Sequence, residues 1–356
     1  MLAARWHAAG DVRVEEVPDP RAPAAGEALI AVDCAAICGS DLSEYRDGPH
    51  MIPVARAHPL TGRTAPMTLG HEWAGRVLEA GDGVDLKPGT RVCGDACIRC
   101  QRCFWCLRGE YNICRLGASI GLHADGAFAP YLMAPAYLLE PVPDGVPDAW
   151  AALAEPLAVG LHAIRQGALG LGETVLVAGF GMIGAAACAM ALAGGAAAVL
   201  VVEPSPARRR LARQMGAAEA LDPAAEDVRR AVQRGTEGRG ADLVIDCSGQ
   251  PGAFAKSVEW SRRGGRVAVC GLGHSPAELD LSRLVFFERQ VIGVLGYRHD
   301  HQAVLGLMAA GRLDPSPLLG DRIALDRIVP DGFERLLADP SAPLRIPVHP
   351  AAAASA

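Results

Sequence analysis

The stretch that most constrains the fold of this chain runs from Thr174 to Glu203. It opens with the apolar run Thr174–Ala178, which is rich in β-branched residues and too short for a helix, so it predicts a buried strand. A Gly-Phe-Gly-Met-Ile-Gly turn follows, then a run of small residues that suits a closely packed helix. A second apolar run, Val199–Val202, ends on the acid Glu203. The order of strand, glycine turn, helix and strand predicts a βαβ unit.

Each glycine of this turn has a physical task in a dinucleotide site. Gly179 permits the tight turn, Gly181 lets the backbone approach a pyrophosphate, and Gly184 lets the helix pack closely on the strand. The helix N-terminus adds N–H groups and the positive end of a dipole. The alternative is a strand–helix turn without a ligand. Because Glu203 lies 19 residues beyond Gly184, where an acid accepts ribose hydroxyls, we interpret the stretch as a dinucleotide-binding unit.

The composition is that of an ordinary soluble protein. Half of the 356 residues are apolar, 21% are charged, and the formal net charge is −6. An acidic balance without a basic stripe argues against a nucleic-acid partner. No apolar run approaches the ~20 residues of a membrane span, so no membrane partner is expected. The N-terminal residues lack the apolar core of a signal peptide, and we therefore expect a cytoplasmic protein.

The pattern of residues changes twice along the chain. Residues 1–145 are rich in turns and short strand patterns, including a hairpin predicted around Gly10, and indicate a β-rich domain. Residues 146–296 alternate strands and helices, about six strands in all, which predicts an α/β fold with a doubly wound parallel sheet. Residues 297–356 are expected to rejoin the first domain through the final run Leu344–Val348.

Five of the eleven cysteines crowd into the segment Cys97–Cys114. The spacing Cys100-x2-Cys103-x2-Cys106-x7-Cys114 can close a tetrahedral shell of four thiolates, the arrangement of a structural zinc site. An iron–sulfur cluster is the chemical rival. Cys97 offers a second register for the four ligands, because Cys97, Cys100, Cys103 and Cys106 are evenly spaced by three residues.

A second set of metal-ligating residue types precedes the glycine turn. Cys38-Gly39-Ser40-Asp41 is followed by Gly70-His71-Glu72 and later by Glu155-Pro156. Each fragment alone is weak, because a single His or Glu is usually structural. Together they offer a thiolate, an imidazole and a carboxylate. Three protein ligands with an open fourth position are the layout of a catalytic zinc.

Taken in order, these segments resemble the zinc-dependent medium-chain alcohol dehydrogenases, and within them the butanediol and sorbitol dehydrogenase branch. The resemblance extends over essentially the whole chain. It includes the segment Glu155–Gly160 and a longer spacer, His58–Gly62, that is similar to butanediol dehydrogenases. It implies a GroES-like β-rich catalytic domain together with a Rossmann cofactor domain.

The resemblance also implies ligands for two zinc ions per subunit. Cys38, His71 and Glu155 would hold the catalytic zinc, and the structural zinc would use the register that ends at Cys114. Glu72 would lie beside the catalytic metal and coordinate it in some states. Asp41 would orient His71 and fix its tautomer.

A proton path is implied as well. Ser40 matches the family's proton-relay hydroxyl. Many members carry a histidine three residues further on, but this chain has Ser43 there. The onward path is therefore open: the coenzyme ribose and water could carry the proton, or a histidine from elsewhere, with His50 and His58 nearest in sequence.

The implied reaction is hydride transfer between NAD(H) and a secondary alcohol or vicinal diol, or the corresponding ketone. Zinc would lower the pKa of the alcohol oxygen, and the nicotinamide would take the hydride. One alternative is a related medium-chain reductase of quinones or activated alkenes. Such reductases usually lack both zinc sites, whereas this chain has ligand sets for both. Another alternative is a non-catalytic nucleotide-binding protein that kept the fold.

The end of the second strand bears on the coenzyme. The charge of Glu203 favours NAD, because it repels the 2′-phosphate of NADP. Ser205 and the run Arg208–Arg210 make NADP the alternative, although such a run also suits the solvated face of a helix. The candidate cofactor-binding residues are Gly179, Gly181, Met182, Ile183, Gly184, Glu203 and Arg208.

The run Val291–Leu295 predicts the last strand of the sheet. An exposed apolar sheet edge invites pairing, so we expect a homodimer or homotetramer. The family resemblance implies that two such edges meet across a two-fold axis.

Overall fold

The computed structural model describes residues 1–273 and 276–350. The chain divides into two compact units, one formed by Met1–Glu155 with His301–Ala356 and the other by Pro156–Asp300. The boundaries expected from the sequence, after residues 145 and 296, lie ten and four residues before these. The last part of the expected catalytic domain, 351–356, lies outside the described residues.

The strands, in chain order, are β1 (Leu2–Ala8), β2 (Asp11–Glu16), β3 (Glu27–Ala36), β4 (Met67–Thr68), β5 (Glu72–Ala80), β6 (Arg91–Gly94), β7 (Cys97–Ile98), β8 (Ala118–Ser119), β9 (Tyr131–Pro135), β10 (Leu139–Pro141), β11 (Thr174–Ala178), β12 (Ala198–Val202), β13 (Glu219–Leu221), β14 (Ala241–Asp246), β15 (Ser261–Val269), β16 (Gln290–Gly293), β17 (Ile323–Ala324) and β18 (Pro347–His349).

The α-helices are α1 (Gly39–Asp47), α2 (Phe104–Leu107), α3 (Asp148–Ala152), α4 (Ala154–Gln166), α5 (Met182–Ala193), α6 (Pro206–Gln214), α7 (Val228–Arg234), α8 (Pro251–Trp260), α9 (Leu281–Phe286), α10 (His301–Ala309) and α11 (Arg335–Ala338). A π-helical segment, Ile328–Glu334, precedes α11. Among the residues that the structure describes, none of the helices is long and apolar enough to span a membrane.

The first unit is β-rich, as predicted. β1 and β2 form the expected antiparallel hairpin. β3 is the central strand of a seven-stranded sheet with the order β10-β6-β5-β3-β18-β17, and β9 also pairs with β3. Alternate residues of β3 are buried, because successive side chains of a strand point to opposite faces. The pairing of β18 with β3 shows how the end of the chain returns to this unit.

The second unit contains one parallel sheet with the strand order β13-β12-β11-β14-β15-β16. The order reverses beside β11, all of whose residues are buried. This is the doubly wound arrangement predicted from the sequence. β16 ends at Gly293, before the predicted Leu295. The predicted α/β fold with a doubly wound parallel sheet is therefore confirmed.

Candidate metal centres and coenzyme site

Three of the predicted ligand-type residues converge in the first unit. Cys38 caps the N-terminus of α1, His71 follows Gly70, and Glu72 begins β5. One ligand atom from each lies within 4.8 Å of the others. Gly70 makes the placement of His71 possible: its φ is +97°, and a Cβ there would lie 2.9 Å from Phe128. A side chain at position 70 would disturb both the turn and its packing.

The imidazole of His71 is held between two polar partners. Its Nδ1 lies 3.6 Å from Asp41 Oδ1, and its Nε2 lies 3.2 Å from Ser40 Oγ. Asp41 is itself fixed, because its Oδ2 accepts a 2.9 Å hydrogen bond from the Cys38 N–H. Burial raises the pKa of Asp41. Burial alone would lower the pKa of His71, but the charges of Asp41 and Cys38 raise it well above its usual value.

Arg345 is a site residue that the sequence analysis missed. Its guanidinium forms a fork with Glu72, with Nε 2.7 Å from Oε2 and Nη2 2.7 Å from Oε1, and Nη2 lies 3.4 Å from the Cys38 sulfur. The side chains of both Arg345 and Glu72 are almost fully buried. Contact with the Glu72 charge raises the pKa of Arg345 against the opposing effect of burial. The available signal was a lone cation inside the apolar run Leu344–Val348.

Glu155, the third expected ligand of the catalytic metal, lies in the first turn of α4. It is not part of the group within 4.8 Å. Its charge nevertheless raises the pKa of His71 and of Arg345, so it is close enough to act on the site.

The possible proton carriers after Ser40 have other partners. The Ser43 hydroxyl donates a 3.0 Å hydrogen bond to the Gly39 carbonyl of its own helix. The Nε2 of His50 lies 2.9 Å from Asp47 at an exposed position. His58 packs edge-on against His123, with ring centroids 4.7 Å apart.

The second candidate metal centre is the cysteine lobe. The sulfurs of Cys100, Cys103, Cys106 and Cys114 lie within 4.8 Å of one another. The Cys100–Cys106 and Cys103–Cys114 sulfur pairs are 4.0 and 3.9 Å apart. A tetrahedron with Zn–S bonds of about 2.3 Å has edges of about 3.8 Å, so the four sulfurs fit zinc. Hydrogen bonds from the backbone, that of Cys106 first, lower the pKa of Cys103 to about 6 and favour a thiolate. Cys97, the alternative fourth ligand, is not in the group.

The glycine turn of the second unit has the geometry of an anion site. Gly179 has a φ of +87°, which suits a tight turn. A Cβ on Gly184 would lie 1.9 Å from the Gly179 carbonyl, so that position packs too closely for a side chain. A Cβ on Gly181 would meet nothing within 4 Å, although this residue caps α5. A pyrophosphate could bind in the open space beside Gly181, before the N–H groups of Met182 and Ile183 at the N-terminus of α5.

Glu203 lies beside this turn and is buried. Its Oε2 accepts a 2.7 Å hydrogen bond from the Phe180 N–H, and its Oε1 accepts one of 2.8 Å from the Ser205 N–H. The guanidinium of Arg209 donates a hydrogen bond to the Glu203 carbonyl and forms an ion pair with Asp222 at 3.0 Å. Within the arginine run, Arg208 is exposed.

Two family matches cover most of the chain. Residues 24–144 match the family described as "Alcohol dehydrogenase GroES-like domain", and residues 183–310 match "Zinc-binding dehydrogenase". The chain is 35% identical over 343 residues to the (R,R)-butanediol dehydrogenase of Bacillus subtilis (strain 168), with 96% of this chain and 97% of the relative covered.

Solved structures agree with these matches. The crystal structure of 2R,3R-butanediol dehydrogenase from Bacillus subtilis has a TM-score of 0.92 and 34% identity, covering 98% of this chain and 99% of the other. A zinc-binding dehydrogenase from Sinorhizobium meliloti 1021, solved with NADP, has a TM-score of 0.88 and 32% identity, with the same shares covered. The resemblance expected from the motifs is thereby confirmed. The chain belongs to the zinc-dependent medium-chain alcohol dehydrogenases, in the branch of the butanediol and sorbitol dehydrogenases, and is an NAD(P)-dependent oxidoreductase.

Proposed function

We propose that this enzyme oxidises a vicinal diol, with (R,R)-butanediol as the first candidate, and reduces NAD in the same reaction. The observation that carries the proposal is the convergence of Cys38 with the buried His71 and Glu72 in one group, with the Ser40 hydroxyl against the imidazole. Butanediol dehydrogenase relatives that match almost the whole chain support the substrate class.

Cys38, His71 and Glu155 are the ligands we assign to a catalytic zinc. Glu72 lies nearer to the other two, but both of its oxygens are committed to Arg345. Its role is then to hold the guanidinium beside the Cys38 sulfur, while Glu155 supplies the carboxylate ligand. A zinc ion bound there would act as a Lewis acid that lowers the pKa of the substrate alcohol. Asp41 faces Nδ1 of His71, which leaves Nε2 for the metal.

The zinc assignment is tested by elemental analysis of purified variants. We expect two zinc ions per chain in the parent enzyme and one in Cys38→Ser and Glu155→Ala. Glu72→Gln is the matched control and should keep both. Loss of zinc in Glu72→Gln with retention in Glu155→Ala would reverse the assignment.

Ser40 is the group we propose to accept the proton from the substrate hydroxyl. Ser40→Ala should lower turnover by ~10²–10⁴-fold, the usual scale of a general acid–base step, without loss of zinc. Ser43 donates to its own helix, so Ser43→Ala should change turnover little. This favours the path through the coenzyme ribose and water. If Ser43→Ala were as damaging as Ser40→Ala, Ser43 would be a required carrier and the water path would be wrong.

NAD is the coenzyme we propose in place of NADP. Glu203 places a buried carboxylate beside the glycine turn, and Arg209 is tied to a backbone carbonyl and to Asp222. Arg208 is exposed and is the candidate for contact with a 2′-phosphate. A higher kcat/KM with NADP than with NAD would contradict this proposal.

We further propose that the enzyme is a cytoplasmic homodimer or homotetramer. The edge strand β16 and the adjoining α9 expose large apolar side chains, among them Val285, Phe286 and Val291. Such an edge favours pairing with a second copy. A monomer by light scattering at micromolar concentration would contradict it.

A substrate panel tests the reaction itself. Vicinal diols, polyols and cyclic secondary alcohols would be compared by the rate of NADH formation, with Cys38→Ser as the inactive control. We expect the highest kcat/KM with a vicinal diol. A zinc-loaded preparation that reduces activated alkenes or quinones, but forms no NADH with any alcohol, would favour the reductase alternative.

A further inference from the structure

Two cysteines lie side by side at the carboxyl edge of the parallel sheet. Cys247 directly follows β14 and Cys270 directly follows β15. In the register of these strands Asp246 lies opposite Val269, so the two cysteines are the next facing pair. The Cys270 N–H donates a 2.8 Å hydrogen bond to the Asp246 carbonyl, which continues the strand pairing up to this point. The two side chains are close enough for Cys270 to raise the pKa of Cys247.

This placement matches the Cα spacing of a disulfide. Neighbouring strands of a sheet are about 4.8 Å apart, and disulfides join Cα atoms about 4.4–6.8 Å apart. Both cysteines are partly exposed. Their chain neighbours Asp246, Val269 and Gly271 line a cavity of about 220 Å³. Because both cysteines are partly exposed, we expect an oxidant to reach the pair without unfolding of the sheet.

One of these cysteines, Cys247, contacts the glycine turn. The Cys247 N–H donates a 2.8 Å hydrogen bond to the carbonyl of Ala178, the residue before Gly179. A Cβ on Gly179 would lie 3.0 Å from Ser248 Cα and 3.2 Å from the carbonyl carbon of Cys247. Because the backbones are this close, a change in the position of Cys247 moves the turn that we assign to the coenzyme pyrophosphate.

We propose that Cys247 and Cys270 form a reversible dithiol–disulfide pair, oxidised by a small-molecule disulfide such as oxidised glutathione, and that the disulfide weakens coenzyme binding. The effect on the coenzyme rests on the proposed function of the glycine turn. The pairing itself rests only on the positions of the two cysteines.

The reaction takes place in two exchange steps. The thiolate of Cys270 attacks one sulfur of the small disulfide, which breaks its S–S bond and releases a first glutathione thiolate. The thiolate of Cys247 then attacks the Cys270 sulfur, forms the Cys247–Cys270 bond and releases a second glutathione thiolate. The two protons lost by the cysteines go to the released thiolates, so the protein is oxidised by two electrons and one disulfide is reduced. Interaction with the Cys270 thiol raises the pKa of Cys247 well above its usual value, so Cys270 is assigned the first attack.

The test uses the zinc-loaded enzyme after incubation with reduced or oxidised glutathione. Free thiols are alkylated, the Cys247–Cys270 pairing is mapped by mass spectrometry, and the NADH dissociation constant is measured by fluorescence titration. We expect a disulfide between these two residues and a rise in the NADH Kd of ~10-fold, within the usual range of coupling between sites. Dithiothreitol should reverse both changes.

Variants separate this pair from the other cysteines. Cys247→Ala and Cys270→Ala should each abolish the effect of oxidised glutathione on NADH binding. Cys188→Ala is the matched control, because Cys188 is a buried cysteine of the same unit, and it should keep the effect. Zinc content is measured in each sample, because oxidation of the cysteine lobe would release metal. The change in the NADH Kd supports the proposal when it occurs without loss of zinc.

Three results would overturn parts of the reasoning, and they are distinguishable. Failure of oxidised glutathione to link Cys247 with Cys270 would refute the pairing. Formation of the disulfide with an unchanged NADH Kd would refute its effect on the coenzyme. A reduced enzyme that binds neither NADH nor NADPH would refute the proposed function instead, and the disulfide map would still decide the pairing.

Discussion

The ion pair between Arg345 and Glu72 yields the sharpest prediction for stability. Glu72 is 0% exposed and Arg345 is 5% exposed, and the guanidinium supplies both close N–H contacts to the carboxylate oxygens. Arg345→Met keeps most of the apolar stem but leaves the Glu72 carboxylate buried without its cation. Breaking a buried pair in this way costs about 3–5 kcal/mol, whereas removing both charges is often nearly neutral.

The melting temperature measures this cost. For a unit of about 200 residues, 1 kcal/mol corresponds to about 2–4 °C, so Arg345→Met should lower the Tm of the first unit by about 6–20 °C. The assay is differential scanning calorimetry on samples of known zinc content. Arg345→Lys is the matched control: it keeps the charge but cannot form the fork, so its Tm should lie between those of the parent and Arg345→Met.

A double variant completes a double-mutant cycle for this ion pair. Glu72→Gln combined with Arg345→Met removes both charges, and we expect it to recover a large part of the stability lost in Arg345→Met alone. Neighbouring residues that interact show such non-additivity. A drop of less than about 3 °C for Arg345→Met, or strictly additive effects in the double variant, would refute the view that this pair holds the site together.

Three further predictions concern the other sites. Cys103→Ser should release one zinc ion and lower the Tm, because metal binding stabilises the lobe. Cys97 lies outside the group of four sulfurs, so Cys97→Ser should keep both the zinc and the Tm of the parent. Zinc analysis and calorimetry measure these outcomes. A Cβ at position 181 meets only open space, where the coenzyme is proposed to bind, so Gly181→Ala should keep the parent Tm but weaken NADH binding in fluorescence titration. A Cβ at position 184 would lie 1.9 Å from a carbonyl oxygen, so Gly184→Ala should lower the Tm instead. Burial lowers the pKa of His123 to about 4, and the charge of His58 adds to this effect. His123 therefore contributes to the stability of the folded state above pH ~6.5, and this contribution is lost as the pH falls towards 4. His123→Asn does not titrate, and its Tm should fall less than that of the parent over this pH range; equal losses would contradict the assignment.

The local sequence determined most of the architecture. The run Thr174–Ala178 has the β-branched, uniformly apolar character of a strand buried on both faces, and glycines at fixed spacing mark the turn that follows it. The four cysteines lie within one short segment, so their closure depends on local loops and could be anticipated together with a ligand set for zinc. The family relationship followed from the order of these segments.

The tertiary structure decided what depends on residues far apart in the chain. Arg345 reaches Glu72 across 273 positions, because β18 returns to pair with β3, and nothing in the spacing of either residue indicates that contact. The facing of Cys247 and Cys270 likewise depends on the register of two parallel strands joined through a helix. Periodicity and motifs report local conformation and the buried face of each element, whereas the partners of a buried charge or thiol are fixed only when distant strands come into register.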